Sequence, residues 1–209
     1  MGWARLIGNA PEQPATARKG AEIIERNAAI QIQLIEQLLD LSRIAAAKLE
    51  LNTEVVDVRE ITFSTIDGLQ PLAQAKNIKI ILQLPDEHRT AALDPKRLQQ
   101  VIWNLFSNAL KFTPAGGWVR AILEYRSDGF RLTIADSGKG ISPDNIPRLF
   151  EPLFQAEGSG GQGGLGLGLA IAKNIVELHG GSVRAESSGS GQGAAFIVEI
   201  PWSGFADPE

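Results

Sequence analysis

Asn104 and Asn108 stand four residues apart in the run QQVIWNLFSNALKFT, so on a helix their amides share one face. Lys111 and Phe112 follow on the next turn. An amide oxygen is a neutral hard ligand suited to Mg²⁺. Nucleotide-bound Mg²⁺ needs only one or two protein oxygens, because phosphates and water supply the rest. A lysine nearby meets a phosphate as a point charge. In TIADSGKGIS (133–142), Asp136 ends an apolar run and a Gly-x-Gly turn follows. A carboxylate there can accept a hydrogen bond from an exocyclic amine. Gly138 and Gly140 let backbone approach a flat ring with no Cβ in the way. In GGLGLGLAIAKNIVE (163–177), Gly164, Gly166 and Gly168 alternate with Leu165, Leu167 and Leu169 before an apolar helix. Open N–H groups at a helix N-terminus make an anion site that suits phosphates. The run is neither a P-loop nor a dinucleotide fingerprint, since it lacks the Lys-Ser/Thr pair and its glycines alternate. Taken singly, each feature has a plainer reading: two asparagines on a solvated face, an ordinary DSG turn, a flexible linker before a helix.

The elements that must position these residues alternate irregularly. WARLI (3–7) reads as the end of a helix, stopped by GNAPEQPAT (8–16). A helix without Pro or Gly is predicted from about Glu22 to Lys48. Glu25, Arg26, Gln33, Glu36, Asp40 and Arg43 gather on one side of it. Ile23, Ile24, Ala28, Ile32, Leu34, Ile35, Leu38, Leu39, Leu41 and Ala45 fill a broad arc opposite. An arc wider than the usual ~100° stripe implies packing on more than one neighbour, as in a bundle, against the simpler reading of one core-packed helix. LELNTEVVDV (49–58) reads as extended. Asp57, with Glu60 at N3, caps a helix predicted to run to about Lys76 with a kink at Pro71. IKIILQLP (78–85) is a strand, and Asp94-Pro95 opens the helix that carries the asparagines. WVRAILEYR and FRLTIADS are strands, Gly180-Gly181 end the helix after the glycine-rich loop, and SVRAESS and AAFIVEIP close the chain as strands. The order predicts an α+β fold, one mixed sheet covered by helices on one face, with no internal repeat.

Composition sets the outer limits. At roughly 150 residues per domain, 209 residues suggest one or two domains. Hydrophobic residues at 44% and charged ones at 21% are ordinary globular usage and exclude a disordered, collagen-like or rod-like chain. A net charge of -4 gives no reason to expect nucleic-acid binding. The absence of cysteine excludes a disulfide framework, a thiolate zinc site and a cysteine nucleophile. No run nears the ~18 apolar residues of a membrane span, and MGWARLIGNAPEQP lacks the parts of a secretory signal. The expected location is cytoplasmic, with any membrane anchor outside this chain.

In this order the motifs resemble the sensor histidine kinases of two-component signalling, within the GHKL ATPase superfamily. QQVIWNLFSNALKFT is similar to the family's N box, DSGKGI to its G1 box, LFEPLF to its F box and GGLGLGL to its G2 box. The resemblance implies a two-layer α/β sandwich of the GHKL type, preceded by the remnant of a dimerisation and phosphotransfer hairpin. ERNAAIQIQLIEQLLDLSRI resembles the second helix of that hairpin, and WARLI would be the tail of the first. The implied domains are a partial hairpin over 1–48, a linker strand over 49–58, an ATP-binding catalytic domain over 59–203 and a tail over 204–209.

The resemblance also implies roles. Asn104, Asn108 and Lys111 form the catalytic set, with Asn108 ligating Mg²⁺, Asn104 lining the phosphate end and Lys111 contacting phosphate. Phe112 packs near adenine, Asp136 reads its amino group and Gly140 floors the base pocket, with Gly138 and Ile141 also among the ATP-binding residues. Phe150 and Phe154 anchor the ATP lid. Gly164, Gly166 and Gly168 give backbone donors to the triphosphate, with Leu165, Leu167 and Leu169 among the ATP-binding residues. Hydrolysing members of the superfamily place a glutamate where Asn104 stands. An asparagine cannot take a proton from water, so this site is expected to hold Mg-ATP for transfer. The implied acceptor is a histidine of an H box upstream of Met1, and the implied partners are a response regulator receiver domain and a second copy of the chain. Two departures stand out. The only histidines, His88 and His179, lie outside any H box, and the lid segment QAEGSGGQGG (155–164) holds no Lys or Arg, which predicts slower transfer more than weaker binding. The alternatives are an anti-sigma-type serine kinase, against which the long helix speaks, and a non-catalytic nucleotide sensor.

Overall fold

The computed structural model describes residues 14–46, 48–156 and 165–202. The chain divides into two compact units, 1–48 and 49–209. The first holds helix α1, Pro14–Ala45. It starts earlier than the sequence predicts because a proline in the first turn loses no helical hydrogen bond and has φ preset for the helix. Residues 14–16, expected to break structure, are thus helical, while the predicted helix tail at 3–7 lies outside the described residues. Ile24, Ile32, Ile35, Leu38 and Leu39, all from the predicted apolar arc, are exposed.

The second unit opens with strand β1, Glu54–Asp57, which pairs antiparallel with β3, Thr90–Leu93. Within the stretch 49–58, expected to be an extended linker strand, Glu54–Asp57 is a strand, and the stretch belongs to the second unit. TAAL lacks the β-branched pattern of a strand and is extended because β1 gives it a partner. Asp57 caps helix α2, Val58–Asp67, accepting from the Glu60 N–H at 3.1 Å. The single kinked helix expected to Lys76 is broken instead: Pro71 sits at the start of a separate short helix α3, Gln70–Ala75. Its ring would collide with the Asp67 carbonyl if α2 continued.

Strands β2 (Lys79–Gln83), β4 (Trp118–Tyr125), β5 (Gly129–Asp136), β6 (Ser182–Glu186) and β7 (Ala194–Pro201) form a mixed sheet in the order β2-β4-β5-β7-β6. Only the β2–β4 pair is parallel among the described strands. Register aligns Ala121, Ile134, Phe196 and Ala185 in one row and Leu123, Leu132 and Val198 in another. All are buried, on the face that receives helices α4 (Pro95–Phe112) and α5 (Gly168–Leu178). From α4, Leu98, Val101, Ile102, Leu105 and Phe106 complete this core. On the opposite face Arg131 and Arg184 converge on Glu199. The Arg131 hydrogen bond, helped by the surrounding guanidinium charges, holds the Glu199 carboxyl below the usual carboxylate range.

The two ends of α4 are fixed by residues distant in sequence. At its start, Asp94 accepts from the Arg97 and Asn52 N–H groups, and its own N–H donates to His179 Nε2 at 3.1 Å. Since Nε2 accepts, the ring proton is on Nδ1, which donates to the Ile175 carbonyl at 2.8 Å. His179, buried at the C-terminus of α5, is thus a neutral strut between two helices. Removing it strands the buried Asp94 N–H and opens a cavity, while the Ile175 carbonyl keeps the backbone N–H of residue 179. We expect His179→Ala to lower stability by about 2–3 kcal/mol in urea denaturation.

Candidate nucleotide site

Helix α4 carries Asn104, Asn108, Lys111 and Phe112 on its last two and a half turns. Asn104 is buried, and among the described residues its Nδ2 has no hydrogen-bond partner. A Cβ on Gly168 would lie 3.3 Å from Asn104 Oδ1, so the first residue of α5 rests directly on this side chain. Among the described residues, no side chain caps the N-terminus of α5, and its first turn holds no acidic residue. Its leading N–H groups therefore remain for an anion. Leu167 is buried just before it, while Leu165, Gly166 and Leu169 are half-buried. Gly164 lies outside the described residues.

The end of α4 abuts the loop that follows β5. The Lys139 N–H donates to the Phe112 carbonyl at 3.2 Å, and a Cβ on Gly138 would sit 2.6 Å from that same oxygen. Asp136 is buried, and its Oδ1 accepts from the Gly138 N–H at 2.8 Å. Burial pushes its pKa up, partly offset by backbone donors at Gly138 and Ala194. Gly140 has φ +68°, and a Cβ there would strike the Gly189 carbonyl at 2.0 Å.

This contact reveals a wall that motif reading missed. The turn between β6 and β7 is sewn to the Asp136 loop: Gly191 N–H donates to Lys139 O at 2.6 Å, Gly193 N–H to Gly138 O at 3.1 Å and Ile141 N–H to Ser187 Oγ at 3.0 Å. The glycine cluster of SSGSGQG was its only sequence signal.

Two ammonium groups share one ring. Lys111 Nζ lies 4.7 Å and Lys139 Nζ 4.2 Å from the centroid of Phe112. Burial, with the Lys139 charge second, lowers the Lys111 pKa. Phe150 packs edge-on against Phe196 with centroids 6.5 Å apart. Phe154 carries Arg148 over its ring at 4.6 Å. Leu153, at φ 66°, donates its N–H to the Gly166 carbonyl, which ties the LFEPLF segment to the start of α5.

The histidines stand apart from this cluster. His179 has both ring nitrogens engaged. His88 Nδ1 meets Asp57 Oδ2 at 2.5 Å, so it has a carboxylate partner that its local sequence did not reveal. Its neighbour Arg89 covers Tyr125, at the far end of β4 from Trp118, whose N–H is bound by Ser137 beside Asp136. At ~3.4 Å per residue, that strand separates His88 from the Asp136 loop by roughly 20 Å.

Residues 93–204 match the family described as histidine kinase-, DNA gyrase B- and HSP90-like ATPase. Hybrid signal transduction histidine kinase D of Dictyostelium discoideum is 40% identical over 192 residues, covering 88% of this chain and 12% of that protein. Sensor histidine kinase TmoS of Ectopseudomonas mendocina is 37% identical over 186 residues, covering 88% of this chain and 19% of that protein. The crystal structure of full-length ShkA in complex with AMPPNP superposes on 100% of this chain and 43% of its own, with a TM-score of 0.80 and 31% identity. The chain belongs to this ATPase family, and the proteins it resembles here are sensor and hybrid histidine kinases. It spans less than a fifth of the two curated relatives' length.

Proposed function

We propose that this chain, as a histidine kinase core, binds Mg-ATP between α4, the Asp136 loop and the start of α5, and passes the γ-phosphoryl group to a histidine outside the chain, for relay to a response regulator receiver domain. The observation that carries this reading is the convergence of three separate sequence boxes: Gly168 rests on Asn104, and Lys139 is bound to the end of the helix that bears Asn108 and Lys111. The residues present fit a nucleotide-borne Mg²⁺. Asn108 offers a neutral hard oxygen on the face shared with Asn104, whose orphaned Nδ2 is a donor suited to a phosphate oxygen. When bound, Mg²⁺ supplies charge neutralisation on the phosphates. The α5 N–H groups and Lys111 hold the phosphate chain, and the Asp136 carboxylate accepts from the adenine amine. Phe150 and Phe154 anchor the lid. Asn104 cannot serve as a base toward water, so the site favours transfer by positioning.

In this reading 1–48 is part of a dimerisation and phosphotransfer hairpin, 59–203 is the catalytic domain and 204–209 a tail. The exposed isoleucines and leucines of α1 support pairing with a second copy. No described helix is long and apolar enough to cross a membrane, and the reading places this part of the protein in the cytoplasm.

Incubation with γ-labelled ATP tests the transfer. We expect no phosphohistidine on this chain alone, and acid-labile, alkali-stable label once a hairpin fragment bearing an H box is added. In-line transfer needs the nucleophile about 3–3.5 Å from the phosphorus, and neither His88 nor His179 meets this within one chain. Label mapped to either would overturn the assignment. Nucleotide binding without label on any hairpin would favour the non-catalytic sensor.

A further inference from the structure

The C-terminal end of α4 carries the weight of the site, yet its last carbonyls are satisfied from outside the site. Lys76, the residue closing α3, sends its ammonium group to three of them: Leu110 O at 2.6 Å, Lys111 O at 3.0 Å and Thr113 O at 3.1 Å. An ammonium has three protons, and here each has a carbonyl of the same helix end. These are the groups that an α-helix leaves without internal partners and where its dipole is negative, so a cation is favoured there on both counts.

The arm that presents Lys76 is itself fixed. Its N–H donates to Ala73 O, Asn77 takes φ 54°, and Asn77 O accepts from Gly116 N–H. Lys79 N–H then bonds Gly117 O as β2 enters the sheet. The chain on both sides of Lys76 is thus seated, directly against the turn that follows α4. Between the three carbonyls lies Phe112, whose own carbonyl receives Lys139 N–H from the Asp136 loop. Lys76 therefore clamps the one turn that sets the direction of Lys111, the plane of Phe112 and the seat of the loop.

We propose that Lys76 is a positioning residue for nucleotide binding, acting through the last turn of α4 without touching the nucleotide. The inference rests on the ATP-site reading above.

The test compares Lys76→Met, Lys76→Arg and Lys79→Met. Lys79 is exposed on β2 and carries the same charge, so its loss controls for the field of the protein. Mg-AMPPNP affinity is measured by calorimetry at a temperature where thermal melts show each variant fully folded. We expect Lys76→Met to weaken binding about tenfold, Lys76→Arg to recover at least part of the loss, and Lys79→Met to stay within twofold of the parent chain. Should Lys76→Met not fold, Lys76→Gln, which keeps two amide donors, is read in the same way. A Lys76→Met or Lys76→Gln protein that melts lower but binds within twofold of the parent overturns the proposal, because it shows a purely structural clamp. An equal loss in Lys79→Met also overturns it. Failure of the parent chain itself to bind AMPPNP would instead sink the ATP-site reading.

Discussion

Asn108→Ala yields a domain that folds as the parent does and has lost its Mg²⁺-dependent affinity for ATP, by a hundredfold or more. A hundredfold corresponds to about 2.7 kcal/mol. Asn108 is half-buried on the face of α4 that holds Asn104, and among the described residues its side chain makes no hydrogen bond. Truncating it strands no protein group, so the change in folding stability should stay within about 0.5 kcal/mol. What the truncation removes is a neutral oxygen for the metal. Without it the charge of the phosphate chain is left to Lys111, whose own charge burial disfavours, and to the α5 N–H groups. Calorimetric titration with ATP in the presence and absence of Mg²⁺ checks this. A variant that keeps the parent's Mg²⁺-dependent affinity would show that Asn108 is not the ligand.

The second large effect concerns the base. ATP is expected to bind at least a hundredfold more tightly than GTP. The Asp136 carboxylate accepts from backbone donors at Gly138 and Ala194 and, with about four lone-pair sites, has room for a further donor. Adenine presents an amine there, whereas guanine presents a carbonyl, and two acceptors would then face each other in a buried place. A hydrogen-bonding site rejects such a mismatch strongly because its own polar group is left unpaired. Asp136→Asn should narrow the gap between the two nucleotides. If the substituted side chain keeps its oxygen on the Gly138 N–H, its amide nitrogen turns a donor toward the base. Comparable affinities of the parent chain for ATP and GTP would remove Asp136 from base reading.

The same carboxyl links pH to stability and to binding. Burial raises the folded Asp136 pKa above that of the unfolded chain. In the window between the two values the folded state binds more protons. This group's contribution to stability is therefore present below the unfolded pKa and is lost as pH rises through the folded one. Nucleotide binding runs the other way: affinity for ATP falls as acidification protonates the acceptor.

Much of this molecule is legible in the sequence because the relevant signals are local. Asp57 and Asp94 cap their helices through side-chain contacts three residues along the chain, so spacing alone announces them. The alternation of FRLTIAD marks a half-buried strand with Asp136 at its end. The rest depends on partners distant in sequence. Thr90–Leu93 is a strand because β1 lies beside it. The His88–Asp57 contact spans 31 residues and His179–Asp94 spans 85. Lys76 looks like any lysine at a helix end until the carbonyls of α4 are seen above it. Pro71 signals an interruption between α2 and α3, but proline alone does not say whether a helix bends or restarts.

The turn between β6 and β7 has a consequence for how this protein can change. Surface turns rich in glycine and serine ordinarily accept inserted residues, tags and length variation. This one faces the opposite constraint. Gly193 at φ +70° brings its Cα so near the Asp136 carbonyl that any side chain would collide with it, and the Gly189 carbonyl occupies the place a side chain on Gly140 would need. In a library of single-residue insertions along the chain, positions 188–193 should therefore behave like the motifs themselves. Drift in length at this turn is transmitted straight to the Asp136 loop, so the hairpin evolves as part of the nucleotide pocket it backs.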